Sequence, residues 1–246
     1  MSLFLSIVIP AYNEERRLPR AVKEVAAFAK GKGGFEIIVV DDGSKDATAS
    51  VTRELAKAQP ELRLISYQPN RGKGGAVKEG MLAAQGRYVL FTDADQSTPI
   101  GELDKLLAKL ESGSCDIAIG SRRVPGAQVE RGHTWWRAVA SKGFWWLSRM
   151  LAVRGVADTQ CGFKCMTREA AQKIFPQLTT DSAIFDIEML IVAAREGLRV
   201  AELPVRWAHD SDTRQPYTLS LAFRVWRELL RIRRVQHVCL PVRVKQ

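Results

Sequence analysis

The stretch F-E-I-I-V-V-D-D-G-S-K-D-A-T-A-S at residues 35–50 decides the predicted fold. Its apolar, β-branched start predicts a buried strand over Phe35–Val40. The acidic and small residues Asp41–Ser44 end that strand, and helical spacing runs from Thr48 to Ala58. A strand, a polar loop and a helix therefore follow one another within a short length of chain.

The same alternation repeats on both sides of this stretch. Further strands are predicted at Ser6–Pro10, Arg63–Tyr67, Tyr88–Thr92 and Asp116–Gly120. Further helices are predicted at Glu14–Lys30, Gly74–Gln85 and Gly101–Leu110. Apolar strands separated by helices indicate an α/β fold with a mostly parallel sheet covered by helices on both faces. Ligands bind such sheets at the carboxyl ends of the strands, where the loops are polar here.

Composition excludes several protein classes. With 246 residues, 46% hydrophobic and 26% charged, the chain is neither collagen-like nor disordered nor a disulfide scaffold, and its length suits one large domain, alone or with an appendage. The longest run without a charged residue is the 13 residues Met1–Asn13, with Pro10 inside it, so we expect no transmembrane helix. The same stretch has no basic start and no small-residue cleavage site, so we expect no signal peptide. Four cysteines without an export signal indicate a reducing compartment, and Cys161 and Cys165 are interpreted as buried thiols.

The positive charge is concentrated in the second half of the chain. Residues 1–126 contain 18 Lys+Arg and 16 Asp+Glu, a net charge of +2, whereas residues 127–246 contain 19 and 11, a net charge of +8. Two amphipathic stretches there, Thr134–Leu151 and Leu219–Ile232, hold five of the six tryptophans. We interpret them as helices at the surface of an anionic membrane, with packing in the core as the alternative.

Three loops carry candidate binding groups. Asp93 and Asp95 follow a strand directly and present oxygen ligands that suit Mg²⁺ or Mn²⁺. Lys73 lies in the loop R-G-K-G-G, where backbone N–H groups at a helix start and a lysine predict phosphate binding. Asp41 and Asp42 are two adjacent acids before a helix, which is more than capping of that helix requires. One of them is suited to accept a hydrogen bond from a nucleobase N–H or a ribose hydroxyl.

Other motif-bearing classes are excluded. The chain lacks the spacing of a Walker A loop, a G-x-G-x-x-G after the first strand, and a G-x-S-x-G elbow. A nucleotidyltransferase would need a glycine-rich basic loop after the first strand, where this chain has P-A-Y-N-E. The non-enzymatic alternative is a basic module that binds membrane or nucleic acid. It would explain the uneven distribution of charge, but it would not explain the acidic loops after the strands.

Several motifs in order resemble those of family 2 glycosyltransferases with the GT-A fold. They are S-I-V-I-P-A-Y-N-E, V-V-D-D-G-S, R-G-K-G-G-A-V, T-D-A-D and G-S-R. Two later motifs, D-T-Q-C-G-F-K from Asp158 and F-D-I-E-M-L from Phe185, resemble the branch of dolichyl-phosphate glucosyl- and mannosyltransferases, closer to the glucosyl side. The resemblance covers about residues 5–210.

The resemblance implies specific roles for residues. The nucleoside would be held by Pro10, Ala11, Tyr12, Glu14 and Asp42, and the metal, diphosphate and sugar by Asp93, Ala94 and Asp95. Arg122 would contact the acceptor phosphate or stabilise charge at the reacting centre. Lys164 and Asp186 would lie on the acceptor side, so that Asp95, Arg122 and Asp186 are the candidate catalytic residues. Where mannosyl-type relatives have a metal-binding glutamine, this chain has Ser97, next to Gln96.

The resulting hypothesis is an inverting, metal-dependent transfer of glucose from UDP-glucose to a dolichyl or polyprenyl phosphate, with GDP-mannose as the alternative donor. If the acceptor were a hydroxyl, Asp186 or Glu188 would be the candidate base. We expect a catalytic domain over 1–210, with a nucleotide-sugar half (1–126) and an acceptor half (127–210). A basic amphipathic helical segment over 211–246, or a membrane-protein partner, would give access to the cytoplasmic membrane face. No nucleic acid is expected.

Overall fold

A computed structural model describes residues 3–130, 155–208, 226–232 and 244–245. Its strands are β1 (Leu5–Ala11), β2 (Phe35–Asp42), β3 (Leu62–Tyr67), β4 (Tyr88–Thr92), β5 (Ile117–Ser121), β6 (Gln128–Glu130), β7 (Phe163–Thr167), β8 (Val200–Pro204), β9 (Arg206–Ala208) and β10 (Val244–Lys245). Its helices are α1 (Leu18–Ala29), α2 (Thr48–Ala58), α3 (Lys73–Ala83), α4 (Leu103–Glu111), α5 (Arg168–Ile174), α6 (Phe185–Arg195) and α7 (226–232).

The described strands form one large sheet in the order β10-β8-β5-β7-β4-β1-β2-β3, with β6 and β9 paired separately. Every neighbour pair in the large sheet is parallel except the two made by β7, which runs antiparallel to β4 and β5. β7 and β8 come from the predicted acceptor half and lie in the same sheet as β1–β5 of the predicted nucleotide-sugar half. Both halves therefore contribute strands to one continuous sheet.

Two hydrophobic cores cover the two faces of the sheet. Side chains alternate along β1, so that Val8 packs with α3, α5 and α6, whereas Ile7 and Ile9 pack with α1 and α4. The predicted α/β architecture with helices on both faces is thereby confirmed, as are all five predicted strands and the four helices predicted between them, with ends shifted by a few residues.

The cysteine prediction is confirmed for the described residues. Cys115, Cys161 and Cys165 are buried free thiols. Burial raises the pKa of the Cys161 thiol to about 11, which keeps it protonated at neutral pH.

The second amphipathic stretch is described only at α7, and Thr134–Leu151 lies outside the described residues. In α7, Leu229 and Ile232 are buried in the core, as the alternative interpretation expected, whereas Trp226 is 41% exposed. The helix thus has one face against the protein and another turned outward. Within the described ranges, no helix has the length and apolar character needed to cross a bilayer.

Candidate active site

The polar loops after the parallel strands surround one cleft with a volume of about 680 Å³, within the usual range for ligand sites. All nine residues predicted to bind the nucleotide sugar line it: Pro10, Ala11, Tyr12, Glu14, Asp42, Lys73, Asp93, Ala94 and Asp95. Asp186, predicted to be catalytic, lines it as well. Lining residues that the sequence prediction missed are Asn13, Arg17, Asn70, Gly72, Ala76, Gln160 and Ala183.

The loop that follows β1 is held by the loop that follows β2. Asn13 takes a left-handed backbone conformation (φ 57°), which asparagine tolerates better than most residues. Its backbone N–H donates to Ser44 Oγ (2.9 Å) and its Oδ1 accepts from the Lys45 N–H (2.8 Å). The Glu14 N–H donates to Thr48 Oγ1 (2.8 Å). These bonds hold Glu14 and its neighbours at the cleft wall.

Asp42 organises the loop that leads into α3. One carboxylate oxygen accepts from the Arg71 N–H (2.8 Å), and the other accepts from Asn70 Nδ2 (2.7 Å) and the Gly72 N–H (2.8 Å). A carboxylate offers about four acceptor positions, so these bonds leave room for a further donor from a ligand. Asp42 therefore shapes the cleft in addition to the nucleoside-binding role predicted for it.

The glycine-rich loop contributes the Lys73 side chain to the cleft, while the amides of Gly74 and Gly75 are bonded within the protein, which corrects part of the phosphate-binding prediction. The N–H groups of Gly74 and Gly75 both donate to the Asp181 carbonyl, at 2.8 and 3.3 Å. This approach requires glycine, because a Cβ on Gly74 would lie 2.7 Å from the Ser182 carbonyl oxygen. Lys73, by contrast, lines the cleft, and its Nζ lies 2.6 Å from Asp93 Oδ1.

Lys73 remains a cation in this setting. Burial lowers its pKa, but the charges of Asp93 and Asp186 more than offset that effect, so the pKa is raised. A positive charge is thus available for a phosphate at the centre of the cleft.

The two aspartates after β4 fit a divalent cation. Enclosure in the cleft, and then the negative charge of Asp93, raise the pKa of Asp95, and a cation would relieve that repulsion. In the same loop, Gln96 Oε1 is a buried oxygen with no hydrogen-bond partner among the described residues. Ser97, at the position of the glutamine in mannosyl-type relatives, donates its N–H to Asp95 Oδ1 at 2.9 Å. No cluster of three His, Cys, Asp or Glu occurs in the part of the chain described, so other oxygens would complete the coordination.

Asp186 lies at the first turn of α6 with its side chain buried against the cleft. Burial raises its pKa despite the nearby ammonium groups of Lys164 and Lys73. Lys164 itself has no exposed surface, and its Nζ donates to Asp186 and to the Cys161 carbonyl. Direct contact between Lys164 and an acceptor, as predicted, is at odds with this burial; the lysine holds Asp186 in place.

Arg122 lies outside the residues that line the cleft and pairs with Asp158. Its Nε and Nη2 donate to the two carboxylate oxygens at 2.7 and 2.8 Å, a bidentate pair. Asp158 is fixed in turn because its N–H donates to Glu202 (2.8 Å). Burial raises the pKa of Asp158, but the hydrogen bonds and charge of Arg122 outweigh it and lower the pKa.

Glu188, the alternative base, does not line the cleft, which corrects that prediction. Its buried carboxylate accepts hydrogen bonds from Thr179 and Thr180. Gln160 was missed although its motif was recognised; it lines the cleft, and its Nε2 has no partner among the described residues. Its place in D-T-Q-C-G-F-K was the signal that could have identified it.

Comparison with known proteins gives consistent relatives. Residues 6–175 match the model of the family Glycosyl transferase family 2. The chain is 36% identical over 245 residues to the dolichyl-phosphate beta-glucosyltransferase of Dictyostelium discoideum, covering 94% of this chain and 74% of that protein. It is 42% identical over 219 residues to the Drosophila melanogaster enzyme of the same name, covering 84% and 67%. Glucosyl-3-phosphoglycerate synthase from Mycobacterium tuberculosis, solved with Mn²⁺, UDP-glucose and phosphoglyceric acid, shares the fold with a TM-score of 0.68 at 19% identity, covering 96% and 80%.

Proposed function

Because this chain belongs to glycosyl transferase family 2, we propose that it transfers glucose from UDP-glucose to a polyprenyl phosphate such as dolichyl phosphate. The acceptor class and the sugar follow from relatives named dolichyl-phosphate beta-glucosyltransferase at 36–42% identity.

One observation carries the proposal: nine residues predicted to bind a nucleotide sugar line a single cleft. That cleft combines a pair of carboxylates, Asp93 and Asp95, with the lysine Lys73. An arrangement of acidic oxygens beside a cation suits a nucleoside diphosphate together with a divalent ion.

The acceptor removes the need for a catalytic base. A phosphate monoester has a second pKa of about 6, so its oxygen is already largely deprotonated at neutral pH. That oxygen attacks the anomeric carbon of glucose, a C–O bond forms, and the bond between the anomeric carbon and the diphosphate breaks. The electron pair leaves with UDP. A single displacement inverts the anomeric configuration.

The chain's own residues bind and orient in this scheme. Lys73 neutralises charge on the departing diphosphate, and Asp186, held by Lys164, orients the sugar. Asp93 and Asp95 would hold a divalent cation, which when bound supplies positive charge beside the diphosphate. Arg122, fixed by Asp158, is the candidate for the acceptor phosphate.

The proposed acceptor is a lipid that resides in a membrane, so the enzyme has to contact the membrane surface. In α7, Trp226 is exposed, and Arg227 and Arg231 beside it are exposed as well. An aromatic ring with arginines suits the headgroup region of an anionic bilayer. A peripheral association of the enzyme with the membrane is therefore part of the proposal.

A transfer assay tests the function. Radiolabelled UDP-glucose and GDP-mannose are each incubated with a short-chain polyprenyl phosphate and Mn²⁺, and label in the lipid fraction is counted. We expect label from UDP-glucose, and a loss of roughly 10²-fold or more in Asp95→Ala. Label from GDP-mannose alone would overturn the donor assignment. Unchanged transfer by Asp95→Ala would remove Asp95 from the site.

A further inference from the structure

We propose that residues 178–183, here called the strap, set the position of Lys73 against the diphosphate of the donor, with Glu188 and Glu228 as the strap's anchors. The inference rests on the proposed function, because it takes a nucleoside diphosphate as the ligand of Lys73. It assigns a positioning role to a segment of which Ala183 alone lines the cleft.

The strap binds the first turns of α3, the helix that begins with Lys73. The Asp181 carbonyl accepts the N–H groups of Gly74 and Gly75, and the Leu178 carbonyl accepts from Lys78 Nζ at 2.8 Å. A Cβ on Gly72 would lie 2.5 Å from the Asp181 oxygen, which shows how closely the two segments approach. Any displacement of the strap therefore moves the start of α3.

Two glutamates hold the strap from different elements. Glu188 in α6 accepts from the N–H groups of Thr179 (3.0 Å) and Thr180 (2.9 Å) and from Thr179 Oγ1 (2.7 Å). Glu228 in α7 accepts from Thr180 Oγ1. The strap is thus tied to the core by one anchor and to the C-terminal helix by the other.

The strap also reaches the cleft. Ala183 lines it, and Lys73 crosses it to Asp93 with 2.6 Å between Nζ and Oδ1. A lysine is a compact charge on a flexible stem, so its placement depends on where its Cα is held. The close approach of the strap explains why glycines occupy the start of α3, where the amides of Gly74 and Gly75 donate to Asp181.

Titrations with two ligands separate positioning from general damage to the fold. UDP carries the diphosphate that Lys73 would contact, whereas uridine carries the base and ribose and no phosphate. Both are titrated in the presence of Mn²⁺ into the wild-type chain, Thr180→Val, Glu228→Ala and the control Glu24→Ala, which removes a glutamate of α1 on the opposite face of the sheet. We expect the two strap variants to bind UDP roughly tenfold more weakly, with uridine affinity within about twofold.

A double-mutant cycle completes the test. In a Lys73→Ala background, Thr180→Val should weaken UDP binding no further, because the group it positions is gone. Equal losses for UDP and uridine, or losses no larger than in Glu24→Ala, would overturn the inference. A Lys73→Ala chain that binds UDP as well as the wild type would also overturn it, while the transfer assay still decides the proposed function.

Discussion

At the scale of single residues, the Asp93 carboxylate owes its position to the absence of a side chain at Gly162. A Cβ built on Gly162 would lie 2.0 Å from Asp93 Oδ2. Such an overlap is relieved by rotating the short aspartate side chain, at little cost in stability, but the carboxylate then leaves its place beside Lys73. Gly162 therefore matters for the geometry of the site more than for the fold.

The first prediction follows from this contact. Gly162→Ala should lower glucosyl transfer by about tenfold or more, since misplacing a binding group by about 1 Å has large effects on rate. Its melting temperature should change little. The matched control is Gly101→Ala, where an added Cβ meets nothing within 4 Å. Full activity in Gly162→Ala would contradict the role given to Asp93.

The pair of Arg122 and Asp158 gives a prediction about pH. The pKa of Asp158 is lowered from its ordinary 3.8 in the folded chain, so the pair stabilises the protein above pH 3.8, and this contribution is lost as the pH falls through the lowered pKa. Asp158→Asn should cost roughly 3 kcal/mol at pH 7, because it leaves a largely enclosed arginine unpaired. Urea unfolding measures the free energy of unfolding of both chains, and the gap between Asp158→Asn and the wild type should become smaller below pH 3.8. A difference that stays constant with pH would argue against the ion pair.

At the scale of elements, α7 combines two roles that sequence periodicity alone did not separate. Leu229 and Ile232 are fully enclosed in the core, while Trp226 is turned outward. Apolar residues at helical spacing share a broad stripe, and only packing in the folded protein shows which part of it is covered. The interfacial and core interpretations thus apply to different faces of one helix.

Substitutions on the two faces should separate these roles. Leu229→Ala should destabilise the fold by about 2–5 kcal/mol, as expected for a buried leucine. The double variant Trp226→Ser with Leu230→Ser should instead weaken binding to anionic vesicles and leave UDP binding unchanged. Vesicle sedimentation and thermal unfolding measure the two effects. If the double variant unfolds, Trp226 and Leu230 are part of the hydrophobic core and the interfacial interpretation of this face is wrong.

β7 and α6 show what strand patterns miss. β7 reads F-K-C-M-T and contains Lys164, a residue that argues against a buried strand. The lysine is tolerated there because Asp186 at the start of α6 neutralises it. α6 includes Asp186 and Glu188 within an otherwise apolar helix, and both acids are buried with partners. Such pairs are visible only once the two elements lie side by side.

At the scale of the whole molecule, the cleft is assembled from loops that belong to separate strands, so ligand binding should stabilise the entire fold. UDP with Mn²⁺ at about 100 times its dissociation constant should add about 2.7 kcal/mol to the free energy of unfolding, seen as a raised melting temperature. Chelation of the metal and the Asp95→Ala variant should each reduce this shift. GDP serves as the comparison nucleotide, and a larger shift with GDP would favour the mannosyl donor.

The sequence by itself determined the alternation of strands and helices and ten of the residues that line the cleft, whereas seven others were missed. Strand periodicity, the polar loops at Asp42 and Asp93, and the order of motifs needed no coordinates, because they depend on local pattern and on the rule that ligands bind at strand ends. Asp42 and Asp95 follow different strands, and both line the same cleft.

Only the tertiary structure decided what each polar group does there. The amides of Gly74 and Gly75 are taken by Asp181, the carboxylate of Glu188 by Thr179 and Thr180, and the ammonium of Lys164 by Asp186. Each partner comes from a different loop or element of the fold, and a hydrogen bond depends on distance in space. A local pattern shows which groups are present, but folding determines which of them remain available to a ligand.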